Sequence, residues 1–306
     1  MIRTTYNPWL HRYTILVAVA TFLLVIAGAL VTSNDAGLSV PDWPTSFGTF
    51  RMPRMVGGVM YEHGHRMIAG TVAILTVILA LWLWRSDSRR WVRRLGAAAV
   101  LAVIAQAVLG GITVLFFLPA PISAAHACLA QLFFCTIVSL AVFTTADWRW
   151  DETKIEDPSH PPLRRIAIAT TVAIFIQLAL GASFRHHGFG VIPHVVFALV
   201  VTAMVLWLVV RVQGDFRDVS RLRRPAWLLT GLLVVQLFLG GGAYIEVLQA
   251  QHEPQPLPPM VTVTTAHVAV GALLLATSLV LTYRVYQIVG APGRAIGEQE
   301  VDFSAA

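Results

Sequence analysis

Four histidines stand at the starts of four apolar segments: His65 and His126 in the first half of the chain, His194 and His267 in the second. An ionisable ring placed in hydrocarbon costs several kcal/mol unless it has a partner, so a membrane segment rarely carries one without a use. Two pairs repeated in two halves suggest two sites with two axial nitrogen ligands each, the ligation that haem takes inside helical bundles. Structural zinc fits less well. Its ligands sit close together in sequence, whereas the members of each pair here lie far apart.

The strongest local motif is Glu62-His63-Gly64-His65-Arg66. Glu62 and His65 are three residues apart and share a helix face, while His63 points elsewhere. A carboxylate beside a ligating histidine can accept a proton, orient a ligand or stabilise developing positive charge. Three residues before His194 the chain has Val191, so one half carries the acid and the other does not. This asymmetry points to one reactive site, with Glu62 as its catalytic group, and one electron-transfer site. The alternative for Glu62 is an ordinary helix-end ion pair with Arg66 at i+4.

These residues must be positioned by membrane helices. The chain has 306 residues, 57% hydrophobic and 12% charged, about half the charged fraction of a soluble domain. A spanning helix needs about 20 mostly apolar residues, and eight such stretches are present, near 12–32, 63–84, 95–116, 122–145, 163–184, 192–212, 226–246 and 262–288. The expected fold is an all-α integral membrane protein of eight transmembrane helices. No small-residue cleavage site follows the first stretch, so it reads as a span rather than a cleaved signal.

Two four-helix halves are indicated by repeated segments. Gln106-Ala-Val-Leu-Gly-Gly in the third span matches Gln236-Leu-Phe-Leu-Gly-Gly in the seventh, and each precedes an Ala-His start at His126 or His267. Gly28-Ala29 and Gly181-Ala182 end the first and fifth spans. The expected organisation is a first bundle at 1–146 with the reactive site, a cytoplasmic linker at 147–161, a second bundle at 162–290 with the electron-transfer site, and a cytoplasmic tail at 291–306. Four spans are an even number, so the halves share one orientation about an axis along the membrane normal. All four histidines then fall near the outer surface.

Basic residues set the sidedness. Arg85, Arg89, Arg90, Arg93 and Arg94 crowd one loop, and Arg211, Arg217, Arg221, Arg223 and Arg224 another, with Arg149, Lys154, Arg164 and Arg165 between the halves. Segment 247–261 has no Lys or Arg. By the positive-inside rule both termini face the cytoplasm. The net charge of +6 is explained by these loops facing anionic lipid, and it is no sign of nucleic acid. Cys128 and Cys135, within the fourth span, read as free apolar side chains. Glycines at 57–58, 110–111 and 240–242 serve either close helix packing or space for a flat macrocycle. His11, His160 and His252 read as solvent-exposed flanking residues, and His186 and His187 as either propionate contacts or part of a solvated outer loop, the loop being favoured. Arg66, Arg185 and Arg54 are the outer cations available to haem propionates.

These residues resemble the haem A synthase family of cytochrome oxidase assembly factors. The resemblance covers about residues 12–288, and rests on Gly37-Leu38-Ser39-Val40-Pro41-Asp42-Trp43-Pro44, the Glu-x-x-His-Arg motif at 62–66, His126, His194 and His267. It implies an oxidoreductase that converts the C8 methyl of haem O to a formyl group through a hydroxymethyl intermediate. It also implies substrate haem at His65 and His126 with Glu62 nearby, and a resident haem b as cofactor at His194 and His267. Arg66 and Arg185 are the candidate propionate contacts. Haem O synthase, a membrane electron acceptor and a second copy of the chain are candidate partners beside the lipid bilayer. Some members carry a cysteine pair in the first outer loop, where this chain has Thr45-Ser46-Phe47 after Pro44. The short segment before the first span favours a bacterial plasma membrane over an organelle. From the residues alone, two readings stay open beside the enzyme: a non-catalytic haem-binding or haem-transfer protein, and a b-type electron-transfer cytochrome.

Overall fold

In hydrocarbon every backbone N–H and C=O must find its partner within the protein, which leaves helices as the natural form for long apolar segments. The computed structural model describes residues 6–149, 154–249 and 256–290, and His252 and the tail 291–306 lie outside them. Eight long helices fill most of it: α1 (Pro8–Ser33), α2 (Gly58–Ser86), α3 (Arg90–Leu115), α4 (Ala120–Phe143), α5 (Leu163–Arg185), α6 (Ile192–Asp215), α7 (Ser220–Gln249) and α8 (Pro258–Ile288). All eight are long and apolar enough to cross a membrane, and the protein is a multi-pass membrane protein. Large apolar side chains face outward, Phe238 being 78% exposed, as lipid rather than water requires.

Several helices run beyond the apolar stretches from which they were read. Helical hydrogen bonding does not stop where hydrocarbon does, and polar residues finish the ends. Asn7 caps α1 by accepting from the N–H groups of Trp9 and Leu10, both at 3.1 Å. Arg90 to Arg94 form the first turn of α3. Inside the spans, buried threonines return their hydroxyls to the carbonyl four residues earlier, as Thr21 does to Val17 at 2.7 Å and Thr170 to Ile166 at 2.8 Å.

Packing follows the duplication. In the first half α1–α2, α2–α3, α3–α4 and α1–α4 all pack, closing a four-helix ring, and α5 to α8 close a second ring in the same way. Each bundle has its own core, one around Val17, Leu79, Leu83, Val103 and Ile137, the other around Leu163, Val205, Leu208, Leu229 and Leu281. Between the bundles α4 meets α8, α1 meets α8 and α5 meets α4, a pattern unchanged by exchanging the halves. The pseudo-twofold axis therefore passes between α4 and α8, the most buried of the spans. Val25, Phe134, Ala272 and Ala276 form a third, smaller core there. Ser139 and Tyr283 join their hydroxyls across α4 and α8 at 2.8 Å, as Ser33 and Thr264 do across α1 and α8 at 2.9 Å.

The end bearing the basic loops is tied by charge and aromatic rings. Asp87, 3% exposed, accepts from Arg89 Nε at 2.9 Å and Nη2 at 2.6 Å, and Arg89 Nη2 also donates to the carbonyl of Phe143 at 2.9 Å. This pair fastens the α2–α3 turn to the end of α4. Phe143 packs on Trp91, Trp148 and Tyr283 with centroids 4.8 to 4.9 Å apart, aromatic rings at the level where membrane proteins place them. His11 is half-buried rather than solvent-exposed: its Nδ1 lies 3.2 Å from Thr144 Oγ1, because α1 leans on the end of α4. His160 is exposed. Cys128 and Cys135 are free and partly buried in α4.

Removing one partner of a buried ion pair leaves the other charge stranded and costs about 3 kcal/mol or more, whereas an exposed pair contributes about 0–1 kcal/mol. Thermal unfolding in detergent should therefore show a large drop for Asp87→Ala. Arg217→Ala should show almost none, its pair with Asp218 being exposed and 3.7 Å long.

Candidate functional site

Each of the four histidines occupies the same place in one of four helix hairpins. The ring of His65 on α2 lies against Gly28 of α1, and His126 on α4 lies against Gly110 of α3. In the second bundle His194 on α6 lies against Gly181 of α5, and His267 on α8 against Gly240 of α7. A methyl group built on these glycines would come within 3.2, 3.3, 2.8 and 3.0 Å of the respective Cε1 atoms. Gly110 and Gly240, expected either to pack helices or to make room for a macrocycle, share with Gly28 and Gly181 a more specific use: they let the Cε1 edge of an imidazole approach the neighbouring backbone.

In the second bundle the rings of His194 and His267 face each other, centroids 6.2 Å apart and planes at 80°. Two imidazoles sharing one metal stand about 6.3 Å apart, from about 2 Å per metal–nitrogen bond and about 1.1 Å from nitrogen to ring centre. His194 Nδ1 has the carbonyl of Gln177 at 3.1 Å, an acceptor that would leave Nε2 as the ligating atom. Among the described residues no group of three or more His, Cys, Asp or Glu side chains could hold a bare metal ion. Two axial nitrogens and no further donors fit a metal whose remaining ligands come from a macrocycle, as in haem. In the first bundle His65 and His126 lie close enough to interact electrostatically. The buried Nδ1 atoms of His65, His126 and His267 have no hydrogen-bond partner, and such groups cost about 1–3 kcal/mol each when left unpaired.

The two bundles differ in what covers them. Over the first lies the segment between α1 and α2, and the Glu62 motif straps it down. Glu62, 4% exposed, accepts from Arg66 Nη2 at 2.6 Å through Oε1 and from the Val40 N–H at 2.8 Å through Oε2. Arg66 donates as well to the carbonyls of Asp42 at 2.7 Å, Thr45 at 3.0 Å and Val40 at 3.3 Å. His63 Nδ1 pairs with Ser46 Oγ at 2.9 Å. The i+4 ion pair weighed from the sequence is therefore present, but as one strand of a larger clamp. Arg66, expected near haem propionates, directs its guanidinium at this clamp.

Within the strap, Asp42 accepts from the N–H groups of Phe47 at 2.7 Å and Gly48 at 2.8 Å, and from the Thr45 hydroxyl. The Thr45 hydrogen bond, then that from Gly48, holds its carboxyl below the usual range. Trp43 rests on Gly111, whose added Cβ would come 2.7 Å from the indole. That glycine adjoins Gly110, the seat of His126, so the Pro-Asp-Trp-Pro run anchors the strap close to His126. The second bundle has only residues 186–191 between α5 and α6. Arg185 there donates to the carbonyl of Thr32 at 2.8 Å, capping α1 across the bundle boundary. His186 is held down to about 4 by burial first, then by the adjacent Arg185 cation and nearby His126 and His187.

Three glutamines also touch the histidines. Gln106 and Gln236 lie in the repeated segments read from the sequence, but Gln177 was missed. Its signal was present: Gln177-Leu-Ala-Leu-Gly181 has the same spacing as the other two.

Fold and site together define a membrane protein of two duplicated four-helix bundles, each carrying a histidine pair. Residues 56–193 match the profile of the cytochrome oxidase assembly protein family, a stretch that contains Glu62, His65, Arg66 and His126 and stops one residue before His194. The chain is similar to the haem A synthase of Lysinibacillus sphaericus, 29% identical over 59% of each chain. It is also similar to those of Alkalihalophilus pseudofirmus (28% identical over 46% of this chain and 48% of the relative) and Bacillus pumilus (30% over 49% and 50%). The alignments thus span roughly half to three-fifths of these relatives. The chain resembles the haem A synthase family, as its histidine motifs indicate.

Gly181→Ala should improve helix propensity, by up to about 1 kcal/mol, yet displace His194. Purified Gly181→Ala protein should lose bound haem, while Gly241→Ala, with open space at its Cβ, should keep it. Equal haem content in the two, measured per protein by absorbance, would show that the close approach does not matter.

Proposed function

We propose that the protein is a haem A synthase: in the membrane it oxidises the C8 methyl of haem O to a formyl group through a hydroxymethyl intermediate. The observation that carries this reading is the asymmetry between two otherwise equivalent histidine pairs. Among the described residues, only the first has a carboxylate one helical turn away and a strapped segment above it. A protein that merely stored or relayed haem would have no use for that difference. A conduit across the bilayer would also want one haem towards each face, whereas all four histidines belong to the same end.

In this reading the first bundle, at 1–146, takes haem O between His65 and His126, and the second, at 162–290, holds haem b between His194 and His267. When bound, haem b supplies one-electron redox chemistry. The chain's own groups do the rest. His65 and His126 fix the substrate's plane, and with it the position of the C8 methyl. The strap from Ala36 to Thr49 limits water at that end. Glu62 supplies the carboxylate that accepts a proton or stabilises positive charge as the methyl is oxidised, and Arg66 and the Val40 N–H set where that carboxylate sits. The basic loops place both termini in the cytoplasm and the histidine end on the outer side of a bacterial plasma membrane. Converting methyl to formyl is a four-electron oxidation that also brings in one oxygen atom. Both an oxidant and an oxygen source, water or dioxygen, therefore come from outside the chain; a membrane electron acceptor is the candidate oxidant. Haem O synthase and a second copy of the chain are further candidate partners.

Glu62→Gln should stop haem A formation while haem still binds in both bundles. His194→Ala or His267→Ala should remove the low-spin haem b spectrum, and His65→Ala or His126→Ala should chiefly impair turnover. Haem analysis of each purified variant, with absorbance spectra, separates these outcomes. Undiminished haem A from Glu62→Gln would remove the carboxylate from the mechanism. Loss of the resident haem from the first-bundle variants alone would reverse the assignment of the halves.

A further inference from the structure

Three of the four hairpins share a device that the fourth lacks. One turn before the glycine that seats each histidine, α3, α5 and α7 carry Gln106, Gln177 and Gln236. Each amide reaches the histidine of the following helix. Gln106 Nε2 donates to the main-chain carbonyl of His126 at 3.0 Å, and Gln177 Nε2 to that of His194 at 2.9 Å. Gln177 Nε2 also lies 3.1 Å from His194 Nδ1, and Gln236 Nε2 lies 3.3 Å from His267 Nε2. The corresponding position of α1, four before Gly28, is Leu24. His65 Nδ1 is buried with no partner, as are those of His126 and His267, so what sets this hairpin apart is the missing glutamine itself.

We propose that Gln106, Gln177 and Gln236 are positioning residues that hold His126, His194 and His267 in place, and that Leu24 leaves His65 the exchangeable ligand through which substrate haem enters and product haem leaves. The inference rests on the reading that these histidines ligate haem. Which ring nitrogen is free for a metal depends on what the other one bonds, and partners of that kind tune ligand strength. An amide suits the task because its NH2 donates to a bare ring nitrogen and its oxygen accepts from a protonated one. The Oε1 atoms of all three glutamines are buried without a partner, leaving each amide an unused acceptor. In the second bundle both ligands are held this way, which suits a haem that stays. In the first only His126 is held. A substrate must come and go, and an enzyme needs one weaker axial bond there; the single substitution of leucine for glutamine in the four-hairpin pattern falls at that site.

The test uses purified full-length protein carrying its haem, with haem loss followed by transfer to an excess of a haem-scavenging globin and axial ligation by electron paramagnetic resonance. Gln236→Leu and Gln177→Leu should lose resident haem about 10- to 100-fold faster, the range for groups that orient metal-ligating histidines, with shifted low-spin g-values. Gln236→Glu, which keeps an acceptor at the ring, should restore both. Leu24→Gln should slow haem release from the first bundle by a similar factor and leave more product haem bound at purification. Unchanged g-values and haem release in both Gln→Leu variants, alongside loss of haem in His267→Ala, would overturn the positioning role while leaving the ligation reading intact. First-bundle haem release at the wild-type rate in Leu24→Gln would overturn the role given to Leu24. Haem retained by His267→Ala would instead refute the ligation reading.

Discussion

Everything at the histidine end of this protein depends on one close contact, the edge of an imidazole ring against a glycine of the preceding helix. Without a Cβ the two helices of a hairpin approach closely enough for the ring edge to meet backbone. The contact occurs four times, at Gly28, Gly110, Gly181 and Gly240. Small residues are a general means of bringing membrane helices together; here they also set the depth and tilt of a side chain that hydrocarbon would otherwise penalise. The pairing of bundles then follows from the chain. Each bundle closes on itself, and α4 and α8, which carry His126 and His267, meet on the axis between them.

Duplication gives two nearly equal sites, and the chain differentiates them with few residues. The first bundle acquires Glu62, Arg66, His63 and a segment long enough to be strapped down. The second acquires a direct turn between α5 and α6 and a complete set of glutamines. Substrate on one side and a resident cofactor on the other need opposite properties, exchange and permanence. In the proposed reaction those needs are met by altering the surroundings of the histidines rather than the histidines themselves.

The eight spans and their duplication were legible because hydrocarbon imposes a simple rule on length and composition, and the histidines because ionisable groups stand out against it. The difference between Glu62 and Val191 was equally visible. What Glu62 touches was not, because its partners Val40, Asp42 and Thr45 come from a loop whose path no periodicity dictates. The same loop decides the use of Arg66 and His63. Gln177 escaped notice because the fifth span was compared at its Gly-Ala end rather than along the helix. His11 seemed to be a flanking polar residue, and only the lean of α1 on α4 shows its partner in Thr144. The helix overruns beyond the membrane-length windows arose because hydropathy records lipid, while caps such as Asn7 record the helix.

The most direct test of the account is to extract and separate the haems of a heterologous host that makes haem O, with and without this protein. The account predicts haem A, accompanied by its hydroxymethyl precursor, only when the protein is present. A purified protein holding haem B alone, with haem O supplied and left unconverted, would contradict it.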